Sequence, residues 1–262
     1  MITALALAPL ACVRNAQPPT SPAPETTASA APATPQEKCP LGIIHWWEPD
    51  LEKGVAVDAI SGRQGAPRGD PTLSPRTESS QAFAFDGSDD YVEIQSMSLK
   101  ALEPTRALTV AAWIKTTPTG RLRAIVGKIS AQEPRSGYLL SIDEGGRVRC
   151  DLGSDSQARR FATVLSGTAL ADDGWHHVAC TFSGVDARVF IDGVSRGGMP
   201  YSASLGTHTE PLLIGKDSFR LGSRHFPGLI DDVVLFNRAL SAEELERLMK
   251  LSPDACRAGD RP

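Results

Sequence analysis

Acidic residues are the side chains in this sequence that could most readily do chemistry. Adjacent acidic pairs occur at Asp89-Asp90, Asp143-Glu144, Asp172-Asp173 and Asp231-Asp232. Hydrolysis of a glycosidic bond requires two carboxylates that flank the bond, whereas neighbouring residues of a strand point to opposite faces. The adjacent pairs therefore predict no hydrolytic site. A Glu-x-Asp pattern occurs at Glu48-Pro49-Asp50, where the proline argues against a central strand.

Residues 1–12 are short, apolar and rich in small side chains, which indicates the end of a secretory signal. The segment closes with Pro9-Leu10-Ala11-Cys12, which resembles the lipobox of bacterial lipoproteins. In that family the cysteine is lipidated and becomes the mature N-terminus. The resemblance implies a lipid anchor on Cys12, a membrane contact through that lipid, and export to the bacterial cell envelope.

Residues 13–38 consist mostly of Pro, Ala, Thr, Ser and Gln. This segment has too few large apolar side chains to offset the entropy of ordering. It predicts a disordered, extended linker. We expect a folded domain over residues 39–251, followed by a polar tail over residues 252–262.

Two cysteines bracket the predicted domain. Cys39 and Cys256 lie at its two ends, which are often close together in compact domains. Because export supplies an oxidising compartment, we predict a disulfide between them. Strand alternation places Cys150 and Cys180 among apolar residues, where they either pair across neighbouring strands or remain buried thiols.

The overall composition excludes some classes of function. The 262-residue chain has 41% hydrophobic and 22% charged residues and a formal net charge of −4. It shows no basic stripe, so nucleic acid is not an expected partner. No apolar run reaches the roughly 18–20 residues of a membrane-spanning helix.

Short segments of alternating apolar and polar residues dominate the rest of the chain, for example HHVACTF, RVRCDL and GYLLSI. Each is bounded by Gly, Pro, Asp or Ser, a pattern typical of strands. Many short strands without long amphipathic helices between them predict an all-β sandwich. One helix is expected from Ser241 to about Lys250, because Ser241 and Glu244 match a capping box and Pro253 would end it.

A series of motifs in the predicted sandwich resembles a known family. The motifs are, in chain order, FDGSDDYVEI, LTVAAWIKT, DDGWHHVACTFSG, VFIDGV, PLLIGK and FPGLIDDVVLFNRALSAEEL. In this order they resemble the laminin-G-like and pentraxin group of concanavalin A-type jelly rolls, over residues 42–249. The resemblance implies a two-sheet antiparallel jelly roll. It also implies a binding role, most often toward carbohydrate or protein surfaces, and frequently a calcium ion.

The calcium expectation can be placed on particular residues. In jelly-roll relatives an aspartate that begins the last strand often joins carbonyl oxygens of early loops at a structural calcium. The resemblance assigns these roles to Asp231 and to Asp86 and Gly87, and oxygen ligands suit this ion. No cation precedes Arg238 in that strand, so we expect Asp231 to lack a local ion pair and Asp232 to face the opposite side. The alternative is that Asp231 only caps backbone groups.

Aromatic and basic residues supply the candidate ligand contacts. Trp46 and Trp47 could stack on a sugar ring, although adjacent strand residues face opposite sides and at least one should belong to the core. The other candidates, in or beside predicted loops, are Tyr138, Arg121, Arg123 and Arg135.

The expected function is non-catalytic recognition of a glycan or a surface protein by a lipid-anchored envelope module, with calcium as the one expected cofactor. Two alternatives stay open. A divergent glycoside hydrolase or lyase would need carboxylates on one face of the concave sheet. A structural or assembly module would show a large exposed apolar patch.

Overall fold

The computed structural model describes residues 38–50, 54–95, 102–117, 119–155, 158, 160–170, 172–219 and 224–257. The predictions for Cys12 and for most of the linker lie outside these residues. The described strands are β1 (Ile43–Asp50), β2 (Val55–Asp58), β3 (Gln64–Arg68), β4 (Thr72–Pro75), β5 (Gln81–Asp86), β6 (Tyr91–Ile94), β7 (Leu108–Lys115), β8 (Arg123–Ile129), β9 (Gly137–Ile142), β10 (Arg147–Gly153), β11 (Phe161–Ala169), β12 (His176–Phe182), β13 (Asp186–Ile191), β14 (Val194–Pro200), β15 (Leu212–Ile214) and β16 (Pro227–Phe236). The described helices are α1 (Ala242–Leu248) and α2 (Pro253–Arg257).

These strands form two antiparallel sheets, which confirms the predicted all-β sandwich. The first sheet has the order β2-β1-β16-β7-β12-β13-β14, and the β4-β5 hairpin also pairs with β16. The second sheet has the order β11-β10-β9-β8-β15-β6-β3. β3 takes part in both sheets, because Gln64 and Gly65 pair with β2 whereas residues 66–68 pair with β6.

The main core lies between the two sheets. Residues two apart in a strand share a face, so Val178, Cys180 and Phe182 of β12 all point into this core. Cys150 of β10 and Cys180 of β12 form a disulfide there, and both residues are buried. The bond settles the two alternatives for these cysteines, and it joins opposite sheets rather than neighbouring strands.

The outer face of the first sheet is covered by α1. Leu245 and Leu248 pack against an apolar cluster that includes Trp46, Val234 and Phe236. A helix with one apolar side is thereby held on a sheet face that would otherwise be exposed to water.

The start of α1 confirms the predicted capping box. The Ser241 hydroxyl accepts a hydrogen bond from the backbone N–H of Glu244, and the Glu244 carboxylate accepts one from the backbone N–H of Ser241. α1 ends at Leu248, slightly earlier than expected, and Pro253 begins α2 inside the predicted tail. Neither described helix is long and apolar enough to cross a membrane.

The predicted disulfide at the ends of the domain is confirmed. Cys39, ahead of β1, is bonded to Cys256 in α2, with a Cα–Cα distance of 5.1 Å. α2 has no buried residues. It is held by this bond, by packing of Cys256 against the apolar cluster under α1, and by the Arg257 guanidinium, which contacts Glu48 at 2.5 Å and the carbonyl oxygen of Ala59 at 3.2 Å.

The two sides of the sandwich are closed in different ways. On one side β3 passes from one sheet to the other. On the other side the edge strands β14 and β11 approach each other so closely that a Cβ on Gly197 would lie 2.1 Å from the carbonyl oxygen of Leu165. Only glycine permits this approach.

Candidate functional site

Three of the predicted ligand-binding residues belong to the core. Trp46 is 1% exposed, and Trp47 and Tyr138 are each 2% exposed, so none of them can stack on a ligand and these predictions are wrong. The two tryptophans do face opposite sides of β1, but α1 covers the outer face and buries Trp46 as well. The Tyr138 hydroxyl donates to the carbonyl oxygen of Leu102 at 3.1 Å.

The predicted calcium ligands are not brought together. Pro227 pairs with Asp86 and Ile230 pairs with Phe83, so Asp231 lies about 13 Å along the strand from the level of Asp86 and Gly87. One ion cannot contact all of them, and this ligand set is wrong because the antiparallel register of β5 and β16 places Asp231 and Asp86 at different levels of the sheet. Calcium binding itself stays a prediction.

The Asp86 carboxylate has a local role in the β5–β6 turn. It accepts the backbone N–H of Ser88 at 2.7 Å, and the Asp90 carboxylate accepts the N–H groups of Asp70 and Asp86 at 2.8 and 3.0 Å. Asp89 lies in the same group of carboxylates. These hydrogen bonds give Asp86 and Asp90 a role in holding the backbone of the turn.

Asp231 has an ion pair that its own strand does not reveal. Arg76, in the turn between β4 and β5, donates from Nε to Asp231 Oδ2 at 2.6 Å, and its Nη2 donates to Asp232 Oδ2. Trp46 Nε1 donates to Asp232 Oδ1 at 2.8 Å. Asp231 therefore has a cationic partner 155 positions away in the sequence, which the expectation about its own strand did not address.

The two adjacent carboxylates reach the same guanidinium because β16 is irregular at this point. Its register with β7 shifts between Asp231 and Val234, and Asp232 has a φ of 47°. A β-bulge of this kind redirects a side chain. The expected divergence of Asp231 and Asp232 is wrong for that reason. β16 also changes partner here, from β5 to β1.

This cluster lies beside a cleft of about 560 Å³ between the β4–β5 turn and the chain that joins α1 to α2. Burial, followed by the charge of Asp231, raises the pKa of Asp232 to about 7 against the opposing effect of Arg76. Burial also raises the pKa of Glu48, another lining residue. Asp231 and Asp232 are only 2% and 7% exposed. The arrangement is that of a buried ion cluster, not of an accessible acid and base.

His177 of β12 pairs with Trp113 of β7, and their ring centroids lie 5.4 Å apart. Burial lowers the pKa of His177 to about 4, with Arg76 acting in the same direction and Asp192 against it. The unfolded chain, with an ordinary histidine pKa of about 6.5, therefore binds this proton more tightly. Stability should fall as the pH drops from about 6.5 to 4.

We expect His177 to account for a loss of about 3 kcal/mol of unfolding free energy between pH 7 and pH 4. Urea unfolding at a series of pH values measures the slope. A His177→Gln variant should lack this part of the slope, and comparison with the parent separates His177 from the other titrating groups. Identical slopes in the two proteins would contradict the assignment.

A larger cleft, of about 920 Å³, lies on the outer face of the second sheet, and we call it the outer cleft. Tyr91 and Glu93 of β6 and Leu213 of β15 line it. They point outward because Val92 and Ile94, the alternate residues of β6, face the core. A concave site of this size, with apolar rings and a few polar groups, is typical of small-molecule and sugar binding.

Loops on both sides form the walls of the outer cleft. One is the β8–β9 loop and the other follows β15, where Phe219 packs on the outer-face apolar residues Ala124, Ile129 and Leu139. The wall residues are Ala131, Gln132, Arg135, Glu210, Pro211, Lys216, Asp217, Ser218, Phe219 and Arg224.

In the outer cleft, the charged side chains contact aromatic rings and one buried carboxyl group. Arg224 Nη1 lies 2.9 Å from Asp217 Oδ2. Burial raises the pKa of Asp217 even though Arg224 lowers it. The guanidinium carbons of Arg135 and Arg224 each lie 4.7 Å from the centroid of the Phe219 ring. Lys216 Nζ lies 4.4 Å from the centroid of the Tyr91 ring.

Sequence reasoning found one of these residues. Arg135 was a binding candidate and lines the outer cleft, whereas Arg121 and Arg123 do not. Tyr91 could have been found, because alternation in DYVEI points it away from the core. No sequence pattern indicates Phe219, because its contacts with Arg135 and Arg224 depend on how two loops meet in the fold.

Comparison with known proteins supports the fold. A family model, Laminin_G_3, described as the concanavalin A-like lectin/glucanases superfamily, matches residues 86–246. A search of curated protein sequences gives no significant match.

Several solved structures share the architecture. Domain 4 of AbnA, a GH43 extracellular arabinanase from Geobacillus stearothermophilus solved with arabinotriose, is 14% identical, with a TM-score of 0.60 over 79% of this chain and 98% of that one. The binding domain of Paraclostridial Mosquitocidal Protein 1 is 13% identical, with a TM-score of 0.61 over 79% of this chain and 51% of that one. The binding domain of botulinum neurotoxin DC, solved with SialylT, is 12% identical, with a TM-score of 0.59, and covers 80% of this chain and 51% of its own. This chain thus spans about half the length of the toxin binding domains.

Proposed function

Because the chain belongs to the concanavalin A-like lectin/glucanases superfamily, we propose that it is a non-catalytic carbohydrate-binding module whose ligand occupies the outer cleft. The outer cleft is the observation that carries the proposal. Its amide, hydroxyl and charged groups can hydrogen-bond a ligand, and apolar side chains such as Pro211 lie beside them, a combination typical of small-molecule sites.

The solved relatives support a sugar as the ligand. The arabinanase domain was solved in complex with arabinotriose, and a toxin binding domain in complex with SialylT. These proteins are under 25% identical to the chain, so the likeness concerns the fold, and the sugar is our inference from the fold and the outer cleft together.

The buried pair Asp231 and Asp232 is not arranged for hydrolysis. Asp231 and Asp232 share one side of the first sheet, but Arg76 and Trp46 hold them by hydrogen bonds. A glycosidase needs a carboxylic acid that can reach the glycosidic oxygen. The pair therefore supports a structural role for these acids.

An assembly role has less support from the surface. The exposed large apolar side chains among the described residues are Leu41, Phe161, Val185, Val194 and Met199. Docking through an apolar face requires a large contiguous patch, and these five residues are too few to form one.

The same proposal places the module at the bacterial envelope, held by lipid on Cys12 and spaced from the membrane by residues 13–38. The leader sequence and the linker composition support it. Metabolic labelling with a palmitate analogue in a lipoprotein-processing host should label the parent and spare a Cys12→Ser variant. Label that persists in the variant would refute the anchor.

A glycan array tests the binding function. The full chain carrying Cys12→Ser should bind a defined group of glycans, and Phe219→Ala should weaken that binding at least about tenfold, which corresponds to about 1.4 kcal/mol. Phe219 is chosen because its ring positions Arg135 and Arg224. Met199→Ala, which alters an exposed apolar residue of β14 in the first sheet, is the matched control. Equal binding by parent and Phe219→Ala would place the ligand elsewhere.

A further inference from the structure

The aromatic rings of the outer cleft are already covered by cations. The Phe219 ring lies close to both Arg135 and Arg224, and the Tyr91 ring has Lys216 over its face. Arg135 also lies 5.7 Å from the centroid of Phe161, an exposed residue of β11. Rings and cations therefore alternate along the surface from Phe161 toward Arg224.

This arrangement changes what the cleft offers to a ligand. A guanidinium that stacks on a ring keeps its N–H groups free at its edge, and the ring face beneath it is no longer open to a sugar. The ligand consequently meets N–H donors that carry positive charge.

Each acidic side chain of the outer cleft has a partner in the protein, and so has Arg224, whereas Lys216 and Arg135 are more available. Asp217 is buried and paired with Arg224, Glu93 is paired with Arg68 at 3.4 Å, and Glu210 accepts a backbone N–H of the β8–β9 loop at 3.3 Å. Lys216 makes no ion pair with a described residue.

Arg135 is available to a ligand in a similar way. Its partner at 3.0 Å is Glu133, whose side chain is 71% exposed. An ion pair so open to water contributes little, so an incoming anion can replace it.

We propose that the ligand is an acidic oligosaccharide, whose carboxylate or sulfate groups bind Arg135 and Lys216 along this row. Arginine binds such groups through two parallel hydrogen bonds. The inference rests on the proposed function and adds the charge of the ligand to it.

The test compares oligosaccharides that differ only in charge, using the full chain with Cys12→Ser. Oligogalacturonate is paired with its methyl ester, and dextran sulfate with dextran, so the two arms separate carboxylate from sulfate recognition. We expect the acidic member of at least one pair to bind at least tenfold more tightly, with an affinity that falls as salt is raised.

Substitutions test whether the preference for acidic oligosaccharides depends on the row of rings and cations from Phe161 to Arg224. Arg135→Gln and Lys216→Gln should each reduce that preference severalfold, and Arg135→Lys should keep part of it. Arg188→Gln, at an exposed arginine of β13 in the first sheet, should have no effect.

Equal affinity for the charged and neutral members of both pairs would overturn the inference, and binding of neutral glycans that requires Phe219 would leave the proposed function intact. Binding of a single-stranded oligonucleotide as tight as that of any oligosaccharide would also overturn it. Absence of binding by every glycan would reject both proposals.

Discussion

Replacement of Arg76 by alanine should lower the free energy of unfolding by about 3–5 kcal/mol, because it leaves two buried carboxylates without their cation. Arg76 is the guanidinium that both Asp231 and Asp232 contact, and it also lies 5.3 Å from the centroid of the Trp113 ring. Urea unfolding at pH 7.5 measures the loss. The loss should shrink as the pH is lowered, since protonation removes the uncompensated charge.

Two further variants separate charge from shape. The triple variant Arg76→Met, Asp231→Asn, Asp232→Asn should recover part of the lost stability, because no charge is then left unpaired. Arg63→Ala, at an exposed position, controls for the loss of a surface arginine. A loss below about 1 kcal/mol for Arg76→Ala would show that water solvates the cluster and that the pair behaves as a surface ion pair.

Removal of the disulfide at the ends of the domain should have an effect of similar size. Cys39 and Cys256 are 217 residues apart in the sequence, and in the chain-entropy model a loop of this length contributes about 5 kcal/mol. The double variant Cys39→Ser, Cys256→Ser should therefore unfold at a lower urea concentration, with a steeper dependence on urea because the unfolded chain is no longer restricted by the cross-link.

The competing outcome is a purely local effect. α2 has no buried residues, so the variant could release α2 while the sandwich keeps its stability. Proteolysis near α2 without any change in global unfolding would demonstrate that outcome and contradict the chain-entropy prediction. Cys12→Ser in both proteins prevents exchange with the leader cysteine.

Local patterns predicted those parts of the structure that depend on neighbours in the sequence. Alternation in HHVACTF predicted the core-facing residues of β12, and the spacing of Ser241 and Glu244 predicted the start of α1. The Cys39–Cys256 bond could be predicted because the ends of a compact domain tend to meet.

The site depended on contacts that the sequence does not display. Arg76 and Asp231 are 155 positions apart, and the bulge at Asp232 replaces the regular alternation on which the prediction relied. The tryptophan predictions were wrong because a sheet face that looked open is covered by α1. In the outer cleft, Arg135 and Phe219 meet only because two loops converge on the same sheet face.

The closed sides of the sandwich have a consequence for behaviour at high local concentration. Unpaired strand edges are templates for association with other chains. Here β3 connects the two sheets along one side of the sandwich, and the edge strands β14 and β11 shield each other along the other side. Among the described strands, β4 pairs on one side only, with β5; it has four residues and ends in Pro75, and proline cannot donate to an incoming strand. Many copies at high local concentration would therefore offer each other little opportunity for intermolecular β-sheet growth.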